Sequence, residues 1–276
     1  MVLMNLSVLV YGNISSHLYR YEILRNTKIL DNVKTIILRK DFHSVSRVTK
    51  AAIRNTKIKI IWLKKNKGVA FCRNLALRYS SSNYLAFIDS DDIWYQEKLS
   101  DQLIFMIKNN YKFSYTYYET FRNTLKSTKK VIKPPEKFNF DSFIKNTSIA
   151  TSTMIIKKDI IGNVKFTKTK ICEDYFFKCQ ILKKVHYAYC FPENLTRYRI
   201  RKDSLQSNRI RNFYWIWYIN KKFNKLNFKD DFIKLKDFND LIIVLIFTLI
   251  FGVLTSVISS YFVTQKYLNL KTSDEL

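Results

Sequence analysis

Apolar and polar positions along the first two hundred residues alternate between two periods. "LSVLVY" from Leu6 to Tyr11, "VKTIIL" from Val33 to Leu38 and "IKIIWL" from Ile58 to Leu63 are short β-branched runs of strand length. Between them, segments such as Leu18 to Leu30 suit helices. From Gly68 to Tyr79 the apolar residues Val69, Cys72, Leu75, Ala76 and Tyr79 recur at helical spacing. They lead into a strand at Tyr84 to Ile88 and a helix from about Tyr95 to Lys108. Strands alternating with helices predict an α/β fold, with helices flanking a mainly parallel sheet. "FSYTYY" (113–118) and "TSTMIIK" (151–157) read as further strands, and Pro134-Pro135 marks a turn. "CEDYFFKCQILKK" opens with two acids and continues as a helix carrying Phe176, Cys179 and Leu182 or Lys183. No internal repeat is visible.

Beyond residue 210 the pattern changes. From Asn212 to Phe228 aromatics and lysines interleave, and Tyr214, Trp215, Trp217 and Tyr218 beside Lys221 and Lys222 suit an amphipathic segment at the lipid head-group level. A packed helix of the globular domain is the competing account. Residues 241–263 carry no charge, and a helix of about 20 apolar residues crosses the roughly 30 Å hydrocarbon core. A buried core helix is the alternative, although one apolar on every face is uncommon in a soluble chain of this size. Lys225, Lys229, Lys234 and Lys236 precede the run, whereas Lys266 and Lys271 follow it beside Asp274 and Glu275. This asymmetry places the main domain on the cytoplasmic side of an inner membrane. The expected organisation is an α/β domain over 1–210, a basic aromatic membrane-proximal segment over 211–240, a transmembrane helix over 241–263 and a short tail over 264–276.

Composition narrows the partners. The 276 residues hold 48 Lys+Arg against 22 Asp+Glu, a formal net charge of +26. Nucleic acid is one use for such charge, but the lysines are spread along the chain among Ile and Asn. Anionic lipid head groups suit the basic C-terminal region better, so a membrane and no nucleic acid is expected. Hydrophobic residues at 47% exclude wholesale disorder. The cysteines Cys72, Cys172, Cys179 and Cys190 show no CxxC spacing and the three histidines are scattered, so neither a zinc site nor a disulfide framework is indicated. No cleavable leader is evident in "MVLMNLSVLVYG".

Against this positive background, "FIDSDDIW" (87–94) gathers three acids at the end of an apolar strand. Side chains alternate along an extended chain, so Asp89 and Asp91 share a side, at the carboxyl end of a strand where open α/β sheets bind ligands. Hard carboxylate oxygens suit Mg2+ or Mn2+ bridging to phosphate. Asp residues favoured by capping and the dipole of the following helix are the alternative.

Four stretches, "NKGVAFCRNLAL" (66–77), "FIDSDDIW", "CEDYFF" (172–177) and "YRIRKDS" (198–204), occur in an order and spacing that resembles glycosyltransferase family 2, the inverting enzymes of GT-A fold. The resemblance covers about residues 58–210 and is of the bacterial cell-surface polysaccharide type. It implies a Rossmann-like nucleotide-binding sheet, a nucleotide-sugar donor, a divalent metal (Mg2+ or Mn2+) and direct transfer to an acceptor hydroxyl with inversion. Carried onto this chain, Asp91 is the metal ligand, with Asp89 at the ribose or the metal. Asp92 orients the donor sugar, and Arg73 supports the nucleotide. Glu173-Asp174 matches the family's acidic pair, with Asp174 as base and Glu173 on the acceptor side. Independently, a sugar hydroxyl needs a carboxylate to take its proton as it attacks. Arg199 faces the leaving diphosphate, a role suited to a planar, permanent cation. The expectation is a glycosyltransferase that takes a sugar, most simply from a UDP donor, to a lipid-linked or lipopolysaccharide-type acceptor. Two departures stand out. A family histidine after "YR" is Arg201, and the "DDGS" expected after the second strand is absent, Asp41 lying one position away. They leave a second expectation, an inactive relative that holds a glycan or a partner at the membrane.

Overall fold

The computed structural model describes residues 6–11, 33–39, 58–63, 67–89, 91–122, 128–167, 169, 171–200, 209–226 and 246–261. The helix expected at Leu18 to Leu30, the segment around Asp41, and Arg201 lie outside them.

Three strands come first, β1 (Leu6–Tyr11), β2 (Val33–Arg39) and β3 (Ile58–Trp62). Helix α1 (Val69–Tyr79) then leads to β4 (Tyr84–Asp89). Gly68 begins α1 at φ 82°, a left-handed backbone that costs glycine little and other residues more. The order β3-β2-β1-β4 is parallel throughout. The chain builds β2 and β3 on one side of β1 and returns through α1 to place β4 on the other, which makes the β1/β4 junction a topological switch point. Crevices outside the carboxyl ends at such junctions are where doubly wound sheets bind ligands. Register pairs Tyr11 with Asp89 there, at the last residue of both strands.

The rest of the sheet is not parallel in the expected way. It uses β5 (Ile93–Trp94), β6 (Phe113–Phe121), β7 (Thr128–Ile132), β8 (Lys137–Phe138), β9 (Ile155–Lys157) and β10 (Ala188–Arg199). Among the described residues β9 is antiparallel to both β4 and β6, β10 is parallel to β6, and β5, β7 and β8 pair antiparallel with their neighbours. The sheet is therefore mixed. Two local reasons stand behind the difference. "TSTMIIK" is not one strand: Thr151–Thr153 forms a 3-10 turn and only Ile155–Lys157 pairs. Strand β10 carries the polar stretch "ENLTRYR" through register shifts against β6, so its alternation is broken where a sequence pattern would need it.

Helices α2 (Lys98–Lys108), α3 (Phe140–Lys145), α4 (Lys158–Ile161), α5 (Glu173–Leu182) and α6 (Arg209–Lys222) complete the first compact unit, which runs to Asn224. The sheet and α2 enclose Ala86, Ile88, Trp94, Leu99, Leu103, Met106 and Ile155. A second apolar layer stacks Phe166 on Phe177 at 3.9 Å between centroids, with Phe87 edge-on to both. Helix α6, expected in a separate membrane-proximal segment, belongs to this unit. Ile219 and Asn220 are buried, and the Tyr175 hydroxyl donates to Asn220 Oδ1 at 2.7 Å.

Within the second unit a helix, α7, covers residues 246–261. Among the described residues no helix is long and apolar enough to cross a membrane. Of the run expected to span, 241–263, residues 246–261 are described and are helical. Residues 241–245 and 262–263 lie outside the described ones.

Candidate active site

A cleft of about 330 Å3 opens beside the carboxyl end of β4. Arg73, Asp89, Glu173 and Asp174 line it together with Tyr118, Tyr198, Asn212 and Ile216. The two acidic motifs, far apart in sequence, are joined by Arg73 on α1. Its guanidinium is 4% exposed and donates to Glu173 Oε1 at 2.7 Å and to Asp89 Oδ1 at 3.2 Å. The Phe166 ring lies 5.1 Å from the guanidinium carbon. The next residue, Asn74, locks that ring in place: its amide donates to the Phe166 carbonyl at 2.8 Å and accepts from the Phe166 N–H at 2.8 Å.

The carboxylates experience opposite fields. Burial pushes the Asp89 carboxyl well above its ordinary range, and the neighbouring charges of Asp92, Asp91, Asp174 and Glu173 push it further. Burial likewise raises Glu173, with Asp174 adding to it and Arg73 pulling back. Asp174 goes the other way. Burial alone would raise it, but the Lys178 ammonium, the Arg73 guanidinium and hydrogen bonds from Lys178 and Thr151 together hold it below the usual carboxylate range. Lys178 Nζ donates to Asp174 Oδ2 at 2.9 Å and to the Ile149 carbonyl at 2.8 Å, and Thr151 Oγ1 donates to the same Oδ2 at 2.8 Å. Both donors take Oδ2 of a carboxylate that lines the cleft.

Asp92 does not face the cleft. It is 1% exposed, with Oδ2 accepting from Ser152 Oγ and Oδ1 from the Arg199 backbone N–H at 2.9 Å. Burial and the Asp91 charge raise its pKa to about 7. Both oxygens of the residue expected to orient a donor sugar thus brace Ser152 and the Arg199 backbone. Ser152 Oγ also accepts from the Asp89 N–H at 3.0 Å, and the Ser152 carbonyl accepts from Trp94 Nε1 at 2.6 Å. The 3-10 turn Thr151–Thr153 is thus the hub that ties the acidic loop of β4 to the start of α5.

Arg199 Nε donates to the Asp91 carbonyl at 3.1 Å, and its guanidinium lies 4.5 Å from the Phe121 ring centroid. It sits beside the acidic loop but does not line the cleft, and neither does Asp91. The end of β10 is clamped by Arg197, whose Nε donates to Glu119 and to the Tyr95 hydroxyl, which itself donates to Glu119 Oε1 at 2.8 Å. Of the expected "YRIRKDS" segment, only Tyr198 to Ile200 is described.

For a divalent cation the donor set is a partial cage. Among the described residues no three His, Cys, Asp or Glu side chains are arranged to hold an ion. Mg2+ commonly keeps waters and substrate phosphates and takes only one or two carboxylates. The like charges crowded on Asp89 are what such a cation would relieve, so the Asp89 and Asp91 carboxylates fit that pattern.

Sequence reasoning missed Lys178, Ser152, Thr151 and Asn74. Lys178 alone carried a signal, its i+4 spacing from Asp174 on one helix. The hydroxyls of the turn acquire their partners only through the fold.

The match of residues 27–176 to Glycosyl transferase family 2 agrees with this geometry. The protein TuaG of Bacillus subtilis (strain 168), assigned by name to teichuronic acid biosynthesis, is 32% identical over 62% of this chain and 68% of its own. The Escherichia coli protein named UDP-Glc:alpha-D-GlcNAc-diphosphoundecaprenol beta-1,3-glucosyltransferase WfgD is 32% identical over 59% of this chain and 64% of its own. In three dimensions the chain resembles S. aureus TarS 1-349 in complex with UDP-GlcNAc, with a TM-score of 0.60 and 17% identity, over 77% of this chain and 64% of that one. The chain thus spans about two thirds of these proteins.

Proposed function

As the chain belongs to glycosyl transferase family 2, we propose that it moves one sugar from a nucleotide-diphosphate donor, a UDP-sugar, to a hydroxyl of a lipid-linked glycan. The observation that carries the reading is the convergence of Asp89, Arg73, Glu173 and Asp174 on one cleft at the switch point of the sheet. Support for the donor class comes from the likeness to TarS in its UDP-GlcNAc complex. Support for a lipid-linked acceptor comes from WfgD, whose name specifies a diphosphoundecaprenol acceptor.

In this reading the acceptor hydroxyl gives its proton to Asp174 Oδ1 as its oxygen attacks the anomeric carbon. The bond from that carbon to the diphosphate oxygen breaks in the same displacement, UDP departs, and the configuration inverts. Asp174 is fully ionised at neutral pH, so it accepts the proton without first losing one. Glu173 stands on the acceptor side, held by Arg73. Asp89 and Asp91 would hold Mg2+ or Mn2+, which supplies neutralisation of the charge developing on the diphosphate. Arg199 supports the Asp91 backbone beside that charge, and Asp92 braces Arg199 and Ser152. The apolar run at 241–263 serves as attachment to the cytoplasmic face of the inner membrane.

The test is protection by UDP with Mn2+ in a thermal shift experiment on the full chain, followed by a screen of nucleotide sugars for transfer or hydrolysis. A rise in Tm of several degrees that disappears in Asp91→Ala supports the donor site, whereas no response to any nucleoside diphosphate with metal refutes it. A catalytically inactive relative that holds a glycan or a partner at the membrane is the second reading, favoured by one observation, the weakened basicity of Asp174 beside Lys178. Turnover of any donor eliminates it.

A further inference from the structure

Helix α6 has two unlike faces. Successive residues of a helix are separated by about 100° of rotation, so Ile210, Phe213, Tyr214 and Trp217 fall within one arc of about 100°. Ile210, Phe213 and Tyr214 are 71%, 54% and 52% exposed, and Trp217 is half-buried. An arc centred about 120° away carries Asn212 and Ile216, which line the cleft, and the buried Ile219 and Asn220.

The charge around the apolar arc is of one sign. The helix sequence "RIRNFYWIWYINKK" has Arg209, Arg211, Lys221 and Lys222 and no acid. The two lysines lie against aromatic rings: Lys221 Nζ is 5.2 Å from the Trp217 ring centroid, and Lys222 Nζ donates to the Tyr218 hydroxyl at 2.7 Å. An exposed aromatic stripe with lysines against the neighbouring rings matches a bilayer interface, where rings take the head-group level and ammonium groups meet lipid phosphates.

We propose that this outward face of α6 docks on a bilayer surface rich in anionic lipid. Its use rests on the lipid-linked acceptor reading above. One face of a helix about 10 Å across meets the head groups while the other lines the cleft, so an acceptor whose lipid stays in the bilayer has its first sugars at the reaction centre. Docking of α6 is a contact distinct from any attachment through residues 241–263.

The experiment uses the full chain with vesicles of phosphatidylcholine and phosphatidylglycerol whose acyl chains are brominated near the head group. The emission lost from wild type but not from Trp217→Phe reports that one ring. Brominated anionic vesicles are expected to quench it by about half, because an interfacial helix buries its apolar face about 5–10 Å deep. In brominated phosphatidylcholine alone the loss should be at least halved, since each Lys or Arg near an anionic surface contributes about fivefold in partition. The exposed-site variant Phe213→Glu/Tyr214→Glu should abolish it while leaving UDP protection as in wild type. Equal emission with and without bromine overturns the docking, and equal quenching by both lipid compositions overturns the anionic assignment. UDP protection measured in the same samples reports on the donor site separately, so either idea can fail while the other stands.

Discussion

The chain presents acids in two clusters, Asp89 to Asp92 at the end of β4 and Glu173-Asp174 at the start of α5, and the protein treats them differently. In the first, burial and mutual repulsion raise Asp89 and Asp92, and Arg73, which donates to Asp89, is shared with Glu173. In the second, Asp174 owns a buried ammonium four residues on and a hydroxyl from the turn. The first cluster crowds like charges on Asp89, which the proposed divalent cation would relieve. The second holds its Asp174 charge against Lys178 and Thr151, which keeps the carboxylate ionised. Equal residue types in similar numbers thus acquire different chemistry from who stands beside them.

The comparison can be broken most severely at Asp174. Asp174→Asn keeps the shape and removes the proton acceptor, so kcat should fall by at least about 10^3-fold while UDP affinity stays near wild type. Isothermal titration beside single-turnover transfer checks it, and transfer near the wild-type rate would disprove the role of Asp174.

Lys178→Met makes the second cluster resemble the first. Without the ammonium, burial is left to raise Asp174, so the acid limb of kcat/KM should move to higher pH by about one unit or more. Stability has a definite sign. In wild type the depressed carboxyl of Asp174 contributes stability that is present above the unfolded value near pH 4 and lost as pH falls through the lower folded value. The variant should therefore be weaker by about 3–5 kcal/mol at neutral pH, as for breaking a buried pair, with the gap narrowing below about pH 4. Urea denaturation at several pH values measures it; a gap that widens on acidification contradicts the assignment.

The smallest effect is expected at the hub. Ser152→Ala removes the donor to Asp92 and the acceptor for the Asp89 N–H, costing about 1–3 kcal/mol. In a domain of this size that is a fall in Tm of roughly 5 °C, with UDP protection reduced but present. An unchanged Tm would mean that the turn does not hold the two clusters in register.

Much of the frame was legible in advance. The strands at Leu6, Val33, Ile58 and Tyr84 and the helices after Gly68, at Lys98 and at Glu173 follow from apolar periods that involve only near neighbours. The acids of both clusters were visible too, and the fold brings Asp89, Glu173 and Asp174 to one cleft while Asp91 and Asp92 stay outside its lining. The antiparallel β9 and the bulged β10 were not legible, since short or irregular strands carry too few alternations to declare themselves. Nor was the inward turn of Asp92, where a neighbour one residue away, Asp91, keeps a different environment.

By itself, then, the amino-acid order determined where strands and helices form, which residues bring charge, and that aromatics and lysines crowd residues 212–228. Periodicity and residue type are local properties and need no partner. The tertiary structure decided which carboxylate is raised and which is held down, that Arg73 bridges acids 16 and 100 residues away, and which face of α6 is left to solvent. Those outcomes depend on burial and on charges brought close by folding, and electrostatic energy follows distance in space, not position along the chain.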